Sequence, residues 1–302
     1  VRLRLALVAT LIAVEILGSP TVVHSGRRRP APPPVGPVSQ LAPNLYLVPA
    51  GGCNTAVWVT RRGIVVVDTK YPESWPDLAE RVRSISAAPI THVINTHHHA
   101  DHAGGNVALP PGIRVVLHRE AARALERPHA GAPSGASPQL GSNPILFDTT
   151  LTLFEGDEAI DLYHFGPAHT AGDAVVVFRS ARHMSAGDIM PGLRLPTIVL
   201  EGGGSGATFA TVLDRAASLP GVDHVITGNG PVVTRQVLAD YAELNRRIVE
   251  HVRARMSLGV DKDAVFRSFQ APDHLRHFDL GRAYATMDEI DRSLRPWWQR
   301  LF

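Results

Sequence analysis

The chain has 302 residues and is 44% hydrophobic, enough for a buried core in one large domain or two small ones. Its net charge of +2 speaks against a nucleic-acid partner, and its one cysteine, Cys53, rules out an intrachain disulfide. Fifteen histidines, by contrast, are many, and histidine is the commonest metal ligand.

Arg2 and Arg4 precede an apolar run over residues 5–17, and Val23-His24-Ser25 follows as a cleavage site. Residues 1–25 are therefore predicted to be a signal peptide, which makes the chain exported, either periplasmic or secreted. The run is shorter than the roughly 20 residues a span needs, and Glu15 interrupts it, so no stable membrane span is expected after cleavage. Residues 26–40 are rich in proline and read as an extended linker.

A folded domain is expected over 41–302, with a core at 41–256 and a helical C-terminal extension at 257–302. Short β-rich runs cover 45–48, 55–60 and 64–68, the last continuous in apolar residues and ending in Asp68. At 74–85 the period changes, with Leu78, Val82 and Ile85 on one helical face and Pro76 near the start. Strands are predicted at 91–95 and 113–118, a helix at 119–127 and a Gly/Ser/Pro-rich loop at 128–144. Four strands follow, at 149–154, 160–164, 174–178 and 183–186, then a helix at 208–218 and a strand at 224–227. Val237, Leu238, Tyr241, Leu244, Ile248, Val252 and Met256 share one face of a long helix, and Tyr284, Met287, Ile290, Leu294 and Trp298 repeat the pattern. Alternating strands and helices without an internal repeat predict a single α/β domain.

The chemistry gathers behind the strand at 91–95, where His97-x-His99-x-Asp101-His102-Ala103-Gly104-Gly105 puts four potential ligands within six residues. Zinc accepts imidazole nitrogen and carboxylate oxygen, and a catalytic site keeps one position open for water. On a strand-to-helix loop, His97 and His99 can point one way while Asp101 and His102 turn to a second point, so two adjacent metal positions are reasonable. Gly104 and Gly105 would let backbone pass close to the ions. His98, between the two, is expected to be a wall residue. Downstream, Gly166-Pro167-Ala168-His169-Thr170-Ala171-Gly172-Asp173 places a histidine between two strands, and Gly187-Asp188 places an aspartate at a strand end.

This order of motifs resembles the metallo-β-lactamase superfamily from about residue 41 to about 256. The resemblance implies a four-layer αββα sandwich with the metals at one end of two packed sheets. It further implies that His97, His99 and His169 hold a first zinc and that Asp101, His102 and a bridging Asp188 hold a second. Asp68 would lie behind the ligands, orienting an imidazole or the loop backbone. One position departs from the pattern: the usual final histidine is Asn229, in Gly228-Asn229-Gly230-Pro231. An amide oxygen is the poorer zinc ligand, so Asn229 is a weak or absent ligand and the second site should bind metal more weakly than the first. His224 is a substitute only in principle and reads as a surface residue.

The resemblance implies hydrolysis of a small-molecule ester, thioester, lactone or amide, with Asp101 holding water and taking its proton. The wall candidates are the loop 128–144 and the segment 191–206, through Leu193, Leu195 and Ile198, with Arg194 a solvated loop residue or a partner for a substrate carboxylate. Antibiotic hydrolysis is not favoured, because one subclass of β-lactamases carries Cys at Asp188 and Lys at Pro191. Glyoxalase II-like thioesterases share Asp188 but keep the final histidine, and the oxygen-reducing di-iron relatives carry Glu at His99. Two alternatives stand beside hydrolysis: a mononuclear iron persulfide dioxygenase and a non-catalytic metal-binding protein.

Overall fold

In a computed structural model describing residues 31–127, 140 and 143–295, the apolar runs pair into two sheets. The first joins β1 (Ser39–Ala42), β2 (Leu45–Val48), β3 (Thr55–Thr60), β4 (Gly63–Val67), β5 (Ile90–Ile94), β6 (Arg114–His118) and β7 (Ile145–Phe147) in that order. Pairing is antiparallel up to β4 and parallel from β4 to β7. Three crossovers link the parallel strands: α1 (Trp75–Ile85), then α2 (Ala100–Ala103) between β5 and β6, then α3 (Arg119–Glu126).

The second sheet contains β8 (Thr150–Leu153), β9 (Ile160–Tyr163), β10 (Val175–Phe178), β11 (His183–Gly187), β12 (His224–Thr227) and β13 (Val232–Thr234), ordered β13-β12-β11-β10-β9-β8. The helix α4 (Gly206–Ala217) makes its parallel β11–β12 crossover. Three helices follow it: α5 (Arg235–Ser257), α6 (Lys262–Ser268) and α7 (Ala283–Leu294).

Strand alternation explains the layers. Val65 and Val67 face Val176, Phe178 and Ile226 between the sheets, while Ile64 and Val66 face Trp75, Leu78 and Val82 of α1. On the other side Val175 and Val177 meet Phe209 and Leu213 of α4 and Leu238 and Tyr241 of α5. Strands covered on both faces must be apolar at every position, which is why 64–67 reads as a continuous run. Burying each such Val or Leu contributes about 1.5–3 kcal/mol. The result is the four-layer αββα sandwich.

The expected strands and helices form, several shifted by one or two residues, and the short strands β1, β7 and β13 are additions. Within the proline-rich stretch, Val35 is buried, Gly36 N–H donates to Pro49 O, and β1 takes Ser39 and Gln40 into the sheet. Tyr284 departs from its expected buried face: the inward side of α7 is Thr286, Met287 and Ile290, leaving Tyr284 exposed. Residues 1–25, nearly all of the loop 128–144 and Trp298 lie outside the described residues. Among the described residues no helix is long and apolar enough to cross a membrane.

Candidate metal centre

The parallel strands β4 and β5 end side by side, and the chain must turn there without leaving buried backbone groups unpaired. Asn95 N–H donates to Val116 O, Ala174 N–H donates to Thr96 O across to the second sheet, and the amides of Asn95 and Asn106 bond to each other. His99 then begins the single turn of α2, its carbonyl accepting from the N–H groups of His102 and Ala103. That reversal aims His97 and His99 at one point and Asp101 and His102 at another. Gly104 and Gly105 do allow a close approach, but to protein rather than to an ion: a Cβ on Gly105 would stand 2.3 Å from Thr69 O, and one on Gly104 2.6 Å from Pro72.

At the first point three imidazoles converge. His97 Nε2 lies 3.1 Å from His99 Nδ1, and His169 Nε2 lies 2.9 Å from the same atom. The three ring centroids are 4.7–4.8 Å apart and the rings nearly perpendicular to one another, so that edges rather than faces meet. Burial, and then the neighbouring imidazoles, lower His99 to about 3 and hold His97 well below the usual histidine range. His97 and His99 are therefore neutral near pH 7, and their nitrogens face a common centre with that of His169. The far nitrogen of His169, Nδ1, donates to Thr197 O at 2.7 Å, which leaves Nε2 as the free donor atom.

At the second point His102 Nε2 is buried without a well-formed hydrogen bond, 3.4 Å from Asp188 Oδ1 and 3.6 Å from Asp101 Oδ2. Asp188 also spans to the first group, its Oδ2 3.8 Å from His169 Nε2. Burial works against the charge on Asp188, but His102 beside it outweighs burial and keeps the carboxyl well below its usual range. Burial raises Asp101. Burial works against a charge on His102, but Cys53, Asp68 and Asp188 outweigh it and raise the ring well above the usual histidine range, so the site holds a positive charge among carboxylates that a cation could replace. Imidazole nitrogens beside carboxylate oxygens, with the His102 Nε2 orphaned between them, form a donor set that fits zinc.

Asp68 sits behind this group, held in the left-handed region at φ 68°. One oxygen accepts from Thr96 N–H, while the other bonds Thr96 Oγ1 and His102 Nδ1, each at 2.8 Å. Asn229 reaches the centre as a donor: its Nδ2 is 3.0 Å from Asp188 Oδ1. Gly228 presses on the same carboxylate, since a Cβ there would lie 2.0 Å from Asp188 Oδ1.

Other sequence candidates fall elsewhere. His98 is half-buried, outside the converging groups, with its ring against Gly202. His224 is exposed at the opposite end of β12, stacked on His183. Leu195 and Ile198, expected on a pocket wall, are instead buried in the core with α4 and α7, because those helices close over the segment. Arg194 is exposed, and the Asp173 carboxylate caps the His169 loop by accepting from Thr170 N–H and Oγ1.

Lys70 and Asn54 are among the residues that escaped the sequence reading. The fully buried Lys70 gives its ammonium to the carbonyls of Val48, Ala50 and Cys53. Asn54 donates its amide to Thr227 O and Gly230 O and its N–H to Gly228 O, fixing the turn that carries Asn229. The one signal for Lys70 is a lysine three residues beyond a wholly apolar strand, and for Asn54 an amide shortly after Gly51-Gly52.

A sequence model of the metallo-beta-lactamase superfamily matches residues 48–224. The chain belongs to this superfamily. Among solved structures it is similar to the stereoselective inverting sec-alkylsulfatase Pisa1 from Pseudomonas sp., with a TM-score of 0.72 at 13% identity over 87% of this chain and 50% of that one. It is also similar to a metallo-beta-lactamase from Pontibacter korlensis, with a TM-score of 0.56 at 19% identity over 69% and 98% of the two chains. The mono-zinc form of FIM-1 from Pseudomonas aeruginosa gives a TM-score of 0.55 at 18% identity over 72% and 97%. The chain thus spans about half the length of the alkylsulfatase, and identities this low speak for the shared fold.

Proposed function

We propose that this superfamily member is an exported zinc-dependent hydrolase acting on an ester, thioester, lactone or amide carbonyl of a small molecule. The observation that carries the proposal is the meeting of His97 Nε2, His99 Nδ1 and His169 Nε2 at one point, with Asp101, His102 and Asp188 beside it. His97, His99 and His169 would hold the first ion, and Asp101, His102 and Asp188 a second, more weakly bound one. Zinc supplies Lewis acidity in such a site, acidifying water near neutral pH and stabilising negative charge on a substrate oxygen.

The remaining work falls to the chain itself. Asp101 is the more open carboxylate, with 24% of its side chain exposed against 13% for Asp188, and its Oδ2 is where the proton from water is received. Asp188 is tethered by Asn229 and takes no part in that transfer. Thr197 O and Asp68 keep His169 and His102 pointed inward. Export rests on the arginine-led apolar run within residues 1–25.

Elemental analysis of the wild type and His99→Ala, joined to turnover of an ester, a thioester, a lactone, a β-lactam and a secondary alkyl sulfate, tests this reading. The sulfate ester is included because the likeness to the alkylsulfatase extends over most of this chain. His99→Ala is expected to lose most of its zinc and all turnover; unaltered zinc content in that variant would refute the site. Iron with sulfite formation from a persulfide would select the dioxygenase reading, and zinc without turnover on the whole panel the non-catalytic one.

A further inference from the structure

The C-terminal helix α7 lies beyond the span matched by the superfamily model, and its apolar side, Met287 and Ile290, would suffice to pack it. With Arg282, the residue at its N-terminal cap position, it nevertheless places three polar side chains on one stretch of the loop beside His169. Arg282 Nε donates to Pro196 O at 3.1 Å, and Thr286 Oγ1 donates to the same carbonyl at 2.9 Å. Glu289 accepts from Ile198 N–H at 2.7 Å through one oxygen and from Arg282 Nη2 at 2.6 Å through the other. The residue between Pro196 and Ile198 is Thr197, whose carbonyl receives His169 Nδ1–H. The same loop returns to His169 once more, with Val199 N–H donating to His169 O at 2.9 Å.

A carbonyl can select one imidazole tautomer and one ring direction only if it is itself held still. Pro196, which has no N–H of its own, and Ile198 are gripped on both sides of Thr197, so the peptide that meets His169 has little freedom to rotate. We propose that Arg282, Thr286 and Glu289 are positioning residues for the metal centre, acting through Thr197 O to aim His169 Nε2. This rests on the reading that His169 holds the metal. The C-terminal helices would then complete the site as well as cover the second sheet.

The full-length chain tests this with zinc affinity, read by competition with a chromogenic chelator, and with the visible absorption of the cobalt(II)-substituted protein. Glu289→Gln and Arg282→Met are expected to weaken zinc binding by roughly 10-fold or more and to alter the cobalt bands, with Arg282→Lys restoring part of both. Asp288→Asn removes the Lys262–Asp288 ion pair between α6 and α7 without touching the Pro196–Ile198 stretch, so both readouts should stay at wild-type values. Equal losses in Asp288→Asn and Glu289→Gln would reduce α7 to a packing element and overturn the proposal. Wild-type affinity in Glu289→Gln, with zinc lost in His169→Ala, would overturn it while leaving the ligand reading standing. Zinc retained in His169→Ala would remove the ligand reading itself. Glu289→Gln keeps the shape of the side chain and decides the matter if Arg282→Met does not fold.

Discussion

The two sheets supply the metal centre in opposite ways. From the first come His97, His99, Asp101 and His102 within six residues, all seated on the segment Asp68-Thr69-Lys70 that directly follows β4. Asp68 grips the His102 ring, Thr69 N–H and Oγ1 bond His102 O, Lys70 O accepts from Gly105 N–H, and the Lys70 ammonium draws in the loop 48–53. From the second sheet come His169, Asp188 and Asn229, one from each of three loops, and each is braced by a residue distant in sequence. The first half is held mainly by the adjoining ends of β4, β5 and β6, with a backbone bond, Ala174 N–H to Thr96 O, from the second sheet. The second exists only when the whole chain has folded, so damage to the first should cost stability and damage to the second should cost metal binding at little cost in stability.

The largest effect expected from breaking the first half is that of Lys70→Met, which leaves two buried carbonyls, of Val48 and Cys53, and the part-buried one of Ala50 without their donor. At about 1–3 kcal/mol for each orphaned group, a loss of roughly 3 kcal/mol or more should appear in denaturant unfolding of the metal-free chain. If the midpoint barely moves, the ammonium is not the keystone of this half.

In the second half, Gly228→Ala puts a Cβ 2.0 Å from Asp188 Oδ1, and because the Gly187 backbone stands 2.9 Å away on the same side, it is the carboxylate that must turn aside. Titration with zinc should show the second equivalent lost or at least 10-fold weaker while the three-histidine equivalent remains. Loss of both equivalents together would show that the two halves are not separable. Asp68→Asn links them from the other side: it replaces a carboxylate on His102 Nδ1 by an amide, and the same titration should show a 10-fold or smaller weakening of the second equivalent with the first unchanged. An unchanged second equivalent would leave Asp68 as a fastener for Thr96 alone.

The same contrast decides how much was readable beforehand. His97, His99, Asp101 and His102 announce themselves because they are contiguous, and Asp68 because it ends a run of apolar residues. His169 and Asp188 were found through the order of motifs, which resembles a known family. Thr197 left no trace, since a backbone carbonyl carries no side-chain signature, and Arg282 and Glu289 lie some ninety residues from the peptide they hold. Leu195 and Ile198 read as pocket lining because nothing in their own neighbourhood reveals that α4 and α7 cover them. The strands β7 and β13 are three residues each, too short for an alternating pattern to register.

The smallest predicted effect lies on the seam between the halves, where His118 at the end of β6 stacks on His164 at the end of β9, ring centroids 3.8 Å apart. Both nitrogens of His118 are engaged: Nδ1 accepts from Glu120 N–H as the cap of α3, and Nε2 donates to Asp148 O. A proton arriving at Nδ1 therefore removes the cap and sets a charge against the second ring. Burial, and then His164, lower the His118 pKa below its ordinary value near 6.5, so the folded state prefers the neutral ring. That preference contributes fully above about pH 6.5 and is lost as the pH falls through the lowered value. Since α3 packs against Gly172, where a Cβ would meet Ala121 N at 2.4 Å, the loss reaches the His169 loop as well. His118→Asn keeps an acceptor for Glu120 N–H but does not titrate, and should lose less stability than wild type as the pH falls from 7 to 5, read as a smaller drop in Tm. Superimposable curves of Tm against pH for the two proteins would show that the acid limb arises within the histidine cluster and not at the seam.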